Sequence, residues 1–183
     1  MKKTSLIAVL LLSISPVLAY AGLADDLKKS DLGAMASKKA SESASKKANA
    51  SVAAKFNKKL LAESRKNQCS FKSGTDQLES GCGKKSQKLA DVIVDVKKAL
   101  QSQGQSGFKF IVSGHTDSPG DAAKNKELSE RRAQVMVKEL VSKGVAAGDI
   151  EAVGMGSEKM LVKPDNTPAK KAKNRRYEVQ IRF

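Results

Sequence analysis

An aspartate and an arginine stand fifteen residues apart in the stretch "FIVSGHTDSPGDAAKNKELSERRAQ", residues 110–134. The segment from Gly114 to Gly120 reads as a turn joining the end of a strand to the start of a helix. At such a junction, backbone amides and the positive end of the helix dipole face outward and favour an anion. Asp117 lies in the turn. Arg132 lies inside the helix, one turn beyond Ser129, from where its long side chain can reach back towards the loop. A carboxylate that attracts an ammonium group, beside a guanidinium that takes a carboxylate with two parallel hydrogen bonds, makes a dipolar clamp. Its natural guest is a zwitterionic amino-acid head. Spacing alone leaves a second reading open, in which Asp117 and Arg132 pair with each other or cap the helix.

His115, the single histidine, invites an enzymatic reading beside Asp117. A nucleophilic triad needs an activated Ser or Cys with a base and an orienting group, and a hydrolytic metal site needs further ligands. The chain supplies neither set. Cys69, Cys82 and His115 also lack the local spacing of a zinc module. No catalytic residue, metal or cofactor is therefore expected, and His115 is read as a structural residue at the strand end.

These residues must be positioned by a domain of about 115 residues beginning near residue 67, enough for one modest core. "QCSFKS" reads as a short strand. "KKSQKLADVIVDVKKALQSQG" carries Leu89, Val92, Ile93, Val96 and Leu100 at helical spacing. "FKFIVSG" alternates Phe108, Phe110 and Val112 as a strand. "KNKELSERRAQVMVKELVSKG" is a second helix, with Leu128, Val135, Leu140 and Val141 as inner candidates. "GDIEAVGMG" and "RRYEVQIRF" are further strands, separated by a polar, proline-punctuated loop or short helix at 157–174. The order predicts an α+β sandwich, β-α-β-α-β-β, with a mixed sheet and helices on one face.

Upstream, "MKKTSLIAVLLLSISPVLAYAG" has the basic start, short apolar run and small-residue end of a secretory leader, expected to be cleaved after Ala21. The residue directly after that point is Gly22 and not a cysteine, which speaks against a lipid anchor. The formal charge of +15 falls to +13 once Lys2 and Lys3 leave with the leader. Such a field favours polyanions. Export and the scarcity of aromatic residues argue against nucleic acid, leaving anionic wall or lipid head groups. Residues 22–66 are Ala-, Lys- and Ser-rich and read as a helical tether, its apolar positions recurring every four residues at Ala36, Ala40, Ala44, Ala48, Val52, Phe56 and Leu60. That stripe drifts about 40° per step on a 3.6-residue helix. Either the helix is a solvated spacer, or its Ala surface and wider Val52, Phe56, Leu60 and Leu61 end bind a partner or a second copy. In an oxidising compartment Cys69 and Cys82 are expected to form a disulfide, the alternative being two separate buried thiols.

The ordered motifs "GHTDSPG", "NKELSERRAQVMVKEL", "GDIEAVGMG" and "NRRYEVQI" resemble those of the OmpA-like C-terminal domain family, the wall-binding module also found in peptidoglycan-associated lipoprotein and MotB. The resemblance runs from about Gln68 to Phe183. It implies non-covalent binding of peptidoglycan through the meso-diaminopimelate of its stem peptide, held by Asp117 and Arg132 with Asn125 lining the pocket. It further implies supporting roles for Gly114, Thr116, Gly120, Arg175 and Arg176, and a periplasmic, wall-associated place in a Gram-negative type of envelope. Departures lie at Ser118-Pro119, where the proline removes a possible amide donor, and before Asn174, where Lys170 and Lys171 replace the usual glycine-containing segment. The alternative function is an envelope adaptor whose N-terminal helix engages an outer-membrane or envelope partner, with wall binding secondary.

Overall fold

The structure, a computed structural model, describes residues 17–72 and 74–183, with side-chain surroundings from residue 34 onward. The leader expected at 1–21 lies outside the described residues as far as residue 16, and outside the described side chains throughout. The chain divides into two units, Met1–Lys47 and Ala48–Phe183. Helix α1, Val17–Lys66, contributes to both. In the first unit, every described side chain, from residue 34 to residue 47, is exposed.

The second unit holds α2 (Cys82–Ser102), β1 (Lys109–His115), α3 (Ala122–Ser142), β2 (Ile150–Gly154), α4 (Pro168–Asn174) and β3 (Arg176–Arg182). The sheet is mixed, in the order β2-β1-β3, with β1 parallel to β2 and antiparallel to β3. Leu89, Ile93, Val96 and Leu100 of α2 join Phe110, Val112, Met136, Leu140, Val179 and Ile181 in one core. On α3 the inward residues are Ser129, Arg132, Ala133, Met136 and Leu140. Leu128, Val135 and Val141, expected inside, are only half-buried, because the helix is rotated so that Ser129, Ala133, Met136 and Leu140 face the core.

The reason for that rotation is a close approach of backbones. Gly114 and Gly154 are paired across β1 and β2, and α3 lies directly on them. A Cβ on Gly114 would collide with the Ser129 carbonyl, and one on Gly154 would stand 2.5 Å from the Lys126 carbonyl oxygen. Neither neighbour is a flexible side chain, so the helix itself would have to move. Gly114→Ala is expected to destabilise the domain by about 1–3 kcal/mol, read as a lowered denaturant midpoint with an unchanged slope.

Two expectations change. "QCSFKS" does not enter the sheet: Phe71 makes a single antiparallel bridge to Leu78 within a short hairpin, closed by Lys72–Gln77 and Ser70–Glu79 backbone bonds of 2.9 Å. The outer edge of β3 is occupied instead by side chains that follow one another along α1 and just past its end. Asn57 accepts from the Ile181 amide at 2.6 Å and donates to the Ile181 carbonyl at 3.2 Å. Ser64 accepts from Val179. Gln68 accepts from the Tyr177 amide at 3.1 Å and donates to its carbonyl at 2.7 Å. A side-chain amide carries the same donor and acceptor as a strand's peptide group, so α1 satisfies and covers an edge that would otherwise be open to pairing.

The second change concerns the helix boundary. Residues 48–66, read from the sequence as part of the tether, belong to the compact unit. Leu60 is fully buried, and Val52, Ala53 and Phe56 pack against the core. The apolar end of the helix is thus largely committed within the domain rather than offered to a partner. The four-residue stripe changes function along its length because an apolar face is covered only once larger residues replace alanine.

Candidate functional site

The turn after β1 is fixed at several points. Thr116 donates its amide to Gly156 at 2.9 Å, which extends the β1–β2 pairing beyond the strands. Gly120 has φ +98°, a left-handed conformation suited to glycine, and Asp121 caps α3 by accepting from the Lys124 amide at 2.9 Å. Asn125 reaches back from the first turn of α3 and donates to the Pro119 carbonyl at 3.0 Å. Proline lacks a donor here, and its acceptor is held by Asn125.

The far side of the turn rests on a residue that the sequence reading missed. Asp165 accepts from the Ser118 amide at 2.9 Å and from the Ser118 hydroxyl. It also accepts from Asn174 at 3.2 Å. Asn174 is itself fully buried and binds Leu161 N, Val162 N and Val162 O at 2.9, 3.1 and 3.0 Å. The asparagine ahead of the two arginines is therefore a hub that ties the 157–174 loop to the GHTDSPG turn. Asp165 is the single acid among the lysines of residues 159–173, a signal that could have identified it.

Asp117 and Arg132 do not pair, and neither caps the helix, so the second reading of their spacing does not hold. Asp117 accepts from Arg175 Nη1 at 2.8 Å, in an exposed setting where such a pair contributes about 0–1 kcal/mol. Arg132 is buried, with only 9% of its surface accessible. Its Nε donates to the Thr75 carbonyl at 2.9 Å, and its guanidinium lies 5.1 Å from the centre of the Phe71 ring. Burial first, and the Arg175 charge second, pull Arg132 below its ordinary pKa, opposed by Asp117 and Asp76. Among the described residues, no hydrogen bond is made to its two terminal nitrogens. Thr75 and Phe71 were not legible as site residues, because they act through a backbone carbonyl and a ring face.

Arg176 faces inward, as a neighbour of Glu178: its Nε donates to Glu178 at 2.9 Å, and Arg65 donates to the same carboxylate at 2.8 Å. Burial would raise the Glu178 pKa, but these two guanidinium bonds outweigh it and the net direction is down. His115 is 3% exposed, and neither ring nitrogen has a hydrogen-bond partner. Burial, reinforced by the Arg176 charge, pushes its pKa down to about 4, so the ring is neutral at physiological pH. Thr116 is likewise buried, with its hydroxyl unpartnered. Cys69 and Cys82 form a disulfide with Cα atoms 5.1 Å apart.

These environments set the response to acid. Unfolded His115 binds a proton near pH 6.5, whereas the folded residue resists until about pH 4. Its stabilising contribution is complete above 6.5 and is lost as pH falls through 4, a change on the order of 3 kcal/mol. Asp165, held down to about 2 chiefly by the Ser118 hydroxyl, adds a further loss between about pH 4 and 2. Denaturant titrations are expected to show stability falling from pH 6.5 downward, with His115→Gln flattening the slope between 6.5 and 4 only.

The sequence profile described as "OmpA family" matches residues 70–175, more than half of the chain. Outer membrane protein A of Klebsiella pneumoniae is 40% identical over 117 residues, 51% of this chain and 34% of that protein. Peptidoglycan-binding protein ArfA of Mycobacterium bovis is 39% identical over 73 residues, 40% of this chain and 22% of that one. The alignments therefore take in about a third or less of these relatives' length. The C-terminal domain of Helicobacter pylori MotB shares the fold, with a TM-score of 0.50 at 20% identity over 63% of this chain and 84% of that structure. Together with the GHTD turn, the α3 arginine and the Asn174 hub, the profile match establishes that this chain belongs to the OmpA family.

Proposed function

We propose that this chain is a non-enzymatic binder of peptidoglycan that grips the zwitterionic end of meso-diaminopimelate in the stem peptide and so anchors an envelope protein or complex to the wall. The observation that carries the reading is the state of Arg132: buried, steered by Thr75 and Phe71, and near an Asp117 whose one ion pair is exposed and weak. Asp117 attracts the ligand's ammonium, which displaces Arg175 at a cost of about 1 kcal/mol or less. Arg132 takes the carboxylate through its terminal nitrogens, where low solvent exposure strengthens the bond. Relatives named as an outer membrane protein and a peptidoglycan-binding protein, the disulfide and the leader-like residues 1–21 support an oxidising, periplasmic location. Asn125 acts by holding the turn that presents Asp117.

A cationic chain can adhere to anionic wall without any pocket, so co-sedimentation with purified sacculi must be compared at about 0.15 and 0.5 M salt. Pocket binding is expected to persist at the higher salt and to be lost in Asp117→Ala. Binding that vanishes with salt and ignores Asp117 would instead mark a nonspecific polyanion binder. The adaptor reading keeps one supporting observation, the uncovered helix at residues 34–47. A partner would engage that part of α1.

A further inference from the structure

The hairpin closed by Cys69 and Cys82 supplies both contacts that steer Arg132. Between the two cysteines lie Phe71, whose ring faces the guanidinium at 5.1 Å, and Thr75, whose carbonyl accepts from Nε at 2.9 Å. Asp76 in the same loop stands 3.9 Å from Arg131 Nε. Phe71 and Leu78 pack against the core, and the hairpin is further held by one β-bridge, Phe71–Leu78, and short backbone bonds across the turn. Its base is fixed at one end by the Tyr177 hydroxyl, which accepts from the Cys69 amide at 3.3 Å, and at the other by the start of α2. The disulfide joins these ends. We propose that the disulfide-closed loop 69–82 is a positioning element for Arg132, and that Thr75 and Phe71 set the site's preference for a ligand carboxylate, so that opening the disulfide weakens the carboxylate grip without dismantling the domain.

The proposal rests on the ligand reading above for its functional consequence, but not for its geometric content. Two measurements on the full chain separate the two. In the first, Cys69→Ala/Cys82→Ala and the parent are titrated with a stem peptide carrying meso-diaminopimelate and with the same peptide amidated at the side-chain carboxylate. The parent is expected to prefer the free carboxylate, and the double variant to lose about tenfold of that preference, roughly one charge-assisted hydrogen bond. Phe71→Leu, which leaves the disulfide intact, is expected to reduce the preference in the same direction, and serves if the cysteine variant does not fold. A preference unchanged in the folded variants would overturn the proposal. In the second, the exchange of the Arg132 Nε proton is followed by NMR with no ligand present. Protection in the parent and its loss in the double variant are expected, and equal protection would refute the positioning role. Failure of the parent to bind either peptide would count against the ligand reading alone, and the proton exchange would then decide the loop's role.

Discussion

Cutting the chain at residue 67 is expected to leave a domain that does not fold stably, whereas cutting at residue 48 is expected to leave one within a few degrees of the full chain's melting temperature. The sequence alone marks 66/67 as the boundary, because there the Ala/Lys composition gives way to alternating runs. The physical boundary lies nineteen residues earlier, between Lys47 and Ala48. Removing residues 48–66 takes away Leu60, a fully buried core residue, at a cost of about 2–5 kcal/mol if the gap does not close. It also uncovers the β3 edge at Ile181 and Val179 and removes Arg65 from Glu178. Against a typical stability of about 5–15 kcal/mol, these losses are decisive, and the exposed edge invites aggregation. Circular dichroism melts of residues 48–183 and 67–183 test this. Equal melting temperatures would show that α1 adds nothing to the core.

Arg132→Lys is expected to lower affinity for a diaminopimelate peptide roughly ten- to hundredfold while leaving the domain folded. Lysine keeps the charge, but it loses the Nε bond to Thr75, the flat face against Phe71 and the two-pronged grip on a carboxylate. Lysine keeps a long aliphatic stem at this inward position, and Ser129, Ala133 and Met136 on the same face of α3 are untouched, so the domain is expected to remain folded. Calorimetric titration beside a thermal melt separates the two effects. An affinity equal to the parent's would mean that Arg132 acts as a point charge only, and a collapsed melt would make it a structural residue.

The regular elements were legible because their periodicities are strong: the α2 stripe and the alternation in "FKFIVSG" and "RRYEVQIRF" each point to one face. Asp117 and Arg132 were legible because they sit in tight local patterns. What escaped depends on contacts made across the fold. "QCSFKS" has strand composition, yet the outer edge of β3 is taken by side chains, and no local pattern announces that Asn57, Ser64 and Gln68 stand in for a strand. The inward face of α3 was displaced because Gly114 and Gly154 let the helix backbone at Lys126, Ser129 and Glu130 lie directly on the sheet, a constraint read from neither segment alone. Asp165 and Thr75 act on the site from 47 and 57 positions away in sequence, towards Ser118 and Arg132 respectively, accordingly beyond any motif.

In the proposed site a buried arginine and a turn aspartate together hold a zwitterionic side-chain end. The deciding measurement is a titration of the chain at physiological salt with two soluble stem peptides, one carrying meso-diaminopimelate and one carrying lysine, which keeps the ammonium but lacks the second carboxylate. Binding of the first, at least tenfold weaker binding of the second, and loss of the difference in Arg132→Ala are expected. Equal affinity for both peptides, or none for either with the domain folded, would contradict that assignment.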